Sequence, residues 1–313
     1  MTAIIPPRIR PGETLGVCAP AGPIRPQRLE RGLARLGDTF RIKLAPGLTA
    51  PRPTGLPGYL AASDAQRVDE LSALLRDPDV RAIVLARGGY GLMRILPQLD
   101  PALVRSDPKP IVGFSDATAL LAWAWAAGVR GIHGPMIGQL VDLSTDDAAH
   151  LVALLSEPRA PGPRPWQLAC EGQGVVRGPA IAANLTMASL LVATPWPVPL
   201  AGAIALFEDV GEKPYELDRY LTQLVLTGVL GATAAVIAGD LERCEDPRPP
   251  SGEPAPPDAA LRTFRERVAA AGRPFASGAP IGHGTRNEAI PFGAATELDL
   301  DRGTLAIVEP AVV

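Results

Sequence analysis

The sequence is short of the residue types that build disulfide frameworks and metal sites. Its 313 residues include three cysteines and three histidines. Cys18, Cys170 and Cys244 are odd in number and widely spaced. They give neither a disulfide framework nor a zinc pattern, and each is expected as a small buried hydrophobe. Basic charge is not in excess: 30 Lys and Arg stand against 33 Asp and Glu, for a net charge of −3. That excludes the basic face by which a protein grips nucleic acid. No apolar run reaches the roughly 18 residues a spanning helix needs. Residues 1–8 also lack the apolar core of a signal peptide. The expectation is a cytoplasmic chain with no membrane or nucleic-acid partner, no metal and no cofactor. No G-x-G-x-x-G or Walker pattern follows the first strand.

What is present is a globular composition, 47% hydrophobic and 20% charged. Strands are expected at 14–19, 40–45, 80–86, 110–113 and 129–132, alternating with helices over 25–37, 64–76, 92–96 and 116–127. The run at 80–86 is continuously apolar, as in a parallel sheet covered on both faces. Ser63-Asp64-Ala65-Gln66 opens the second helix as a capping box. Alternation of this kind predicts an α/β fold with a doubly wound parallel sheet in the N-terminal domain. A helix is expected over 145–155, and the Pro- and Gly-rich stretch after it reads as a linker. The expected division is 1–157, linker 158–170, and 171–313 as a C-terminal α/β domain with a mixed sheet or small barrel. There, helices are expected over 185–193, 215–226 and 259–271, strands at 203–207 and 234–238, and an alternating hairpin-like tail over 289–308. Residues 246–257 form a proline-rich, low-complexity segment.

Two strand ends in the N-terminal half carry groups suited to chemistry. Arg87-Gly88-Gly89-Tyr90-Gly91 follows the strand at 80–86, and its glycines let backbone N–H groups approach a ligand. A tight turn before a helix is the plainer explanation. Ser115 follows the strand at 110–113 at the start of a helix. It reads either as a nucleophile or as a helix N-cap, the commonest use of serine there, because Gly113-Phe114-Ser115-Asp116 lacks the full G-x-S-x-G elbow. The glycine loop and Ser115 end successive parallel strands and so share one sheet edge. A serine nucleophile needs a base, and the base needs an orienting acceptor. His150 lies on an ordinary helix and is expected to be solvated. His133 is held close to the sheet by Gly134-Pro135. His283, between Gly282 and Gly284, is the better candidate. Glu208 ends an apolar strand and is a candidate acceptor; Asp209 points the other way if the strand persists.

Taken together, Gly58-Tyr59-Leu60-Ala61, Ala86-Arg87-Gly88-Gly89-Tyr90-Gly91, Gly113-Phe114-Ser115-Asp116 and His133-Gly134-Pro135 resemble the LD-carboxypeptidase family of serine peptidases, the muramoyltetrapeptide carboxypeptidases. Asn184-Leu185-Thr186, Glu208-Asp209-Val210-Gly211-Glu212, the run 218–224 and Gly282-His283 carry the likeness through the second half. The microcin C immunity peptidases are a branch of the same family. The resemblance implies a Ser115-His283-Glu208 triad, an oxyanion hole from the amides of Gly89 and Asp116, no metal, a homodimer, and a site between the domains. It implies a cytoplasmic murein tetrapeptide as substrate and its terminal D-alanine as leaving group. Arg87, Arg94 and Arg286 are then candidate partners for substrate carboxylates, although structural ion pairs explain arginines equally well. Gly88, Tyr90 and Trp196 are candidates for substrate contact, the two aromatics being equally at home in rim or core. The alternatives are a microcin-type peptidyl-nucleotide peptidase and an inactive muropeptide-binding module. One departure stands out: Ala182-Ala183-Asn184 occurs where the family usually reads Gly-Gly-Asn. If those glycines floor the substrate site, the added methyls narrow it. The segment 245–257 also looks longer and richer in proline than the family leads one to expect.

Overall fold

A computed structural model describes residues 3–246, 252 and 256–313. The proline-rich segment 245–257 therefore lies largely outside the described residues, as do residues 1 and 2. Among the described residues the strands run, in chain order, β1 (Thr14–Cys18), β2 (Arg41–Leu44), β3 (Val80–Leu85), β4 (Ile111–Gly113), β5 (Ile132–His133), β6 (Gly162–Pro163), β7 (Ala169–Glu171), β8 (Val175–Asn184), β9 (Ile204–Val210), β10 (Ala235–Glu242), β11 (Phe275–Ser277), β12 (Ile290–Pro291), β13 (Ala294–Asp299) and β14 (Thr304–Ile307). No helix among them is long and apolar enough to cross a membrane.

The chain divides into two compact units. One contains the chain through Ala160 together with Glu288–Phe292 and Pro310–Val313; the other contains Pro161–Asn287 and Gly293–Glu309. The region 158–170 carries β6 and the first residues of β7, and Trp166 and Leu168 within it are buried.

The first unit is built on a six-stranded sheet of order β12-β5-β4-β3-β1-β2. Every neighbouring pair is parallel except β12–β5, where Ile290 opposes His133. Helices Pro26–Ala34, Asp64–Arg76 and Thr118–Ala126 connect successive strands. This is the doubly wound arrangement that the strand–helix alternation predicts. Ser63 caps Asp64–Arg76, its side chain accepting the Gln66 N–H. Residues 118–124 of Thr118–Ala126 are all buried, as befits a helix apolar on every side. Because both faces of β3 are covered, five of its six residues are buried and one is half-buried, which explains its unbroken apolar run.

The second unit is built on an eight-stranded mixed sheet of order β6-β14-β13-β8-β9-β10-β11-β7. Its centre, β8 to β11, is parallel. Antiparallel strands flank it: β7 on β11, then β13, β14 and β6 beyond β8. The expected tail hairpin is β13–β14, with Leu298 opposite Leu305. Cys18 and Cys244 are buried as expected, but Cys170, on the edge strand β7, is partly exposed.

Candidate active site

In the first unit, β4 ends at Gly113 and the chain turns sharply. A single 3-10 turn, Ser115–Ala117, precedes the helix proper, which begins at Thr118 rather than at the expected Asp116. The tight turn needs Gly113, because a Cβ there would lie 2.6 Å from the Ala117 Cβ. Ser115 has φ +61, and it and Arg243 are the only non-glycine residues at positive φ among those described. A left-handed serine is strained, and such strain concentrates at functional sites. The N-cap alternative fails in the structure. The caps of the turn and of the helix are Phe114 and Ala117, neither making a side-chain cap hydrogen bond.

The glycine loop after β3 packs directly against this serine. A Cβ on Gly88 would sit 3.2 Å from the Ser115 Cβ and 3.4 Å from its Oγ. Gly89 and Gly91 take φ +106 and +129, values open to glycine alone without strain. The loop is tied down from several sides. The Gly22 N–H donates to Gly88 O over 2.9 Å. Arg67, 1% exposed, donates to Pro20 O, to Gly91 O at 3.0 Å and to Asp64 at 2.6 Å. The buried Asp116 carboxylate accepts the Leu92 N–H at 2.9 Å. Burial raises the Asp116 carboxyl above its ordinary range, against the pull of the Leu92 and Gly91 amides and of Arg67. Asp116 thus braces the glycine loop through its side chain.

The other N-terminal candidates sit around this floor. Arg87 is exposed and donates to Pro23 O at 3.0 Å. Tyr90 is half-exposed and meets Tyr59 edge to face, with ring centroids 5.5 Å apart. Arg94 is engaged in an ion pair, its Nε and Nη2 lying 3.0 and 2.8 Å from Asp64 Oδ2. This pairing holds Asp64 below the usual carboxylate range.

In the second unit, Glu208 is fully buried in β9, and its Oε2 lies 2.6 Å from His283 Nδ1. The strand continues to Val210, so Asp209 faces the opposite way. There it accepts from Asn184 Nδ2 at 3.0 Å and from the N–H and Oγ1 of Thr186 at 2.9 and 2.8 Å. Asn184 itself caps the helix Leu185–Leu191 by accepting the Met187 N–H. Burial depresses the His283 imidazolium, but the charge and hydrogen bond of Glu208, with Asp209, outweigh it; against Arg243, the net is a raised pKa. The flanking glycines are sterically required. A Cβ on Gly282, at φ +130, would lie 2.9 Å from the Asp240 Cβ and 3.0 Å from the Glu208 Cβ, and one on Gly284 would overlap the Asp240 carboxylate. Arg286 is exposed, and Trp196 is half-buried with its backbone N–H donating to Thr194 Oγ1. Ala182 and Ala183 are both fully buried in β8, so their methyls pack in the interior instead of lining an open surface.

The remaining histidines have other work. His133 is fully buried in β5, with its ring edge to face against Phe114. His150 is not solvated as expected: its Nε2 meets Ala289 O at 3.0 Å and lies 4.0 Å from Glu288. Among the described residues, no group of His, Cys, Asp and Glu is arranged to hold a metal ion.

These elements give a half-buried serine in strained backbone beside a glycine loop, and a histidine whose Nδ1 is committed to a buried carboxylate. With Nδ1 so occupied, proton exchange with a reacting group falls to Nε2. Comparison with known proteins identifies the family. The LD-carboxypeptidase N-terminal domain profile matches residues 15–134, and the C-terminal domain profile matches 177–298. The murein tetrapeptide carboxypeptidase of Pseudomonas aeruginosa is 32% identical, over 78% of this chain and 80% of its own. The crystal structure of muramoyltetrapeptide carboxypeptidase from Oxalobacter formigenes superposes with a TM-score of 0.81 at 26% identity, covering 95% of this chain and 99% of that one. The structure of MccF in complex with glutamyl sulfamoyl guanosine has the same fold, with a TM-score of 0.86 at 21% identity over 99% of both chains. Both halves of the sequence match, in order and along nearly their whole length, and the chain belongs to the LD-carboxypeptidase family of peptidases.

Proposed function

We propose that this carboxypeptidase is a serine enzyme that releases the terminal D-alanine of murein tetrapeptides by hydrolysing the L,D-amide bond, a reaction of peptidoglycan recycling. Ser115 is the nucleophile, His283 the general base and Glu208 the acceptor that fixes the imidazole tautomer. The observation that carries this reading is the 2.6 Å contact between His283 Nδ1 and the buried Glu208, because a buried carboxylate on Nδ1 prepares Nε2 to take a proton and then stabilises the imidazolium.

Ser115 Oγ attacks the amide carbonyl as its proton passes to His283 Nε2. The amides of Gly89 and Asp116 hold the oxyanion, a contribution typically worth about 100- to 1,000-fold in turnover per donor. His283 then protonates the leaving D-alanine amine, and a water, deprotonated by the same imidazole, releases the acyl group. Arg87 and Arg286 are assigned to substrate carboxylates, and Gly88, Tyr90 and Trp196 to the walls around the peptide. The enzyme works in the cytoplasm and as a homodimer.

The test follows D-alanine release from a murein tetrapeptide by liquid chromatography, with a peptidyl sulfamoyl nucleotide run in parallel. Wild type is expected to release D-alanine, and Ser115→Ala to lose at least about 10³-fold in turnover. Full hydrolysis by Ser115→Ala would remove the serine from its role, and cleavage of the nucleotide conjugate alone would move the substrate assignment.

A further inference from the structure

The turn that presents His283 is held by side chains outside the proposed triad. The Gly282 N–H donates to Asn287 Oδ1 at 3.0 Å, and Asn287 is fully buried. The Gly284 N–H donates to Asp240 Oδ2 at 3.1 Å. Asp240 is also joined to the chain just before the turn, its own N–H donating to Ile281 O at 2.8 Å. These bonds bracket the imidazole on both sides.

The strand geometry explains how Asp240 reaches there. The pairing of β10 with β9 shifts register between Ala238 and Leu241, and an extra residue in a strand re-aims a side chain. Gly239 permits the close approach, since a Cβ there would lie 2.6 Å from Ile281 Cγ1 and 2.8 Å from Ile281 O. The bulged pair Gly239-Asp240 thus brings β10 against the His283 turn and points a carboxylate at it.

We propose that Asp240 is a positioning residue for the reaction, fixing the Gly282–Gly284 turn so that the imidazole of His283 stays on Glu208. This inference rests on the reading of His283 as the base. Asp240 acts through the Gly284 amide and touches no reacting atom. The charged groups facing it are Glu208 from β9, Glu242 from its own strand and His283 itself; burial and the two carboxylates push its carboxyl up to about 6, against the pull of the Gly284 N–H and His283. Its anion also favours the imidazolium, so removing that charge lowers the pKa of His283.

Two variants separate these effects. Asp240→Asn keeps an acceptor for the Gly284 N–H and removes the charge; Asp240→Ala removes both. Asp240→Ala is expected to lose about 10- to 100-fold in kcat with KM within about threefold of wild type. Asp240→Asn should retain kcat within about threefold at high pH, with the acid limb of its pH–rate profile displaced to lower pH. The imidazole signal of His283, assigned by its absence in His283→Gln, is titrated by NMR in wild type and Asp240→Asn, and its midpoint should fall. A wild-type kcat in Asp240→Ala overturns the proposal, and so does an unmoved His283 midpoint in Asp240→Asn. If Asp240→Ala does not fold, the His283 midpoint in Asp240→Asn decides whether Asp240 acts on the imidazole. The titration needs no turnover. An active Ser115→Ala with a displaced His283 midpoint would therefore sink the serine mechanism while leaving Asp240 in place, and the reverse pattern would sink only Asp240.

Discussion

Ser115, half-buried at its turn, sits in strained backbone. A residue with a Cβ in the left-handed region costs on the order of 1 kcal/mol, and glycine removes that cost. Ser115→Gly is therefore expected to raise stability to urea by about 0.5–1 kcal/mol while abolishing hydrolysis. A loss of stability in Ser115→Gly would mean that the φ of +61 is held by favourable contacts and stores no strain. The base leads to a second expectation. As the proposed base, His283 would act only when neutral, and its environment raises its pKa, with Glu208 overcoming the burial penalty. Activity should then fall as pH drops through a midpoint above the ordinary histidine value of about 6.5. Because the folded-state pKa is raised, the stability His283 contributes is full below about pH 6.5 and disappears as pH rises through the folded midpoint. Active enzyme at neutral pH thus works where part of that stability is already lost. A kcat/KM profile with its acid limb below pH 6 would contradict the arrangement. Much of this was legible at the residue level: the Gly282-His283-Gly284 triplet, the Glu208-Asp209 pair and the serine at a strand end all stand out in the chain. Neither the left-handed backbone of Ser115 nor the contact of Asp240 with the His283 turn could be read, because each depends on tertiary packing.

At the level of elements, the motif Asn184-Leu185-Thr186 is a junction. Asn184 caps one helix and, with Thr186, ties that helix to Asp209 on β9, next to Glu208. Asn184→Ala removes the cap, worth about 1 kcal/mol, and one hydrogen bond to a buried carboxylate, worth a further 1–3 kcal/mol or so. A loss of about 2–4 kcal/mol in urea denaturation is expected, together with a drop in kcat because β9 also carries Glu208. A loss below about 0.5 kcal/mol would show that Thr186 alone holds Asp209. The strand–helix order of the first unit was readable because a covered parallel sheet writes itself as apolar runs between capped helices. Boundaries were less so. The helix expected from Asp116 begins at Thr118, after a 3-10 turn that no periodicity announces. The burial of His150 against Ala289 and Glu288 was hidden because its partners lie far away in sequence and its own helix looks like a surface one.

For the whole molecule, the chain path has a consequence that hydropathy does not reveal. Having entered the second unit at Pro161, the chain returns to the first over Glu288–Phe292 and again over Pro310–Val313. The first return supplies β12, which pairs with β5; in addition, the Phe292 N–H donates to Gly131 O. The second places Ala311 and Val312 in the same apolar cluster as Ile9, Leu15, Val84 and Leu151, and Ala289 joins them. Val313 exchanges backbone hydrogen bonds with Pro6 and Arg8. A fragment ending at residue 160 keeps the Ser115 turn and the glycine loop but loses a sheet edge and these core groups. Burying a Val-sized side chain contributes about 1.5 kcal/mol or more, and each lost backbone hydrogen bond removes about 1 kcal/mol. The sum approaches the whole stability of a typical domain, about 5–15 kcal/mol. Residues 1–160 expressed alone are therefore expected to lack a cooperative urea transition and to show little near-ultraviolet circular dichroism. Adding a synthetic peptide spanning 286–313 should restore part of both signals. A fragment that unfolds cooperatively at the urea midpoint of the intact chain would show that the returning segments decorate the first unit without holding it together.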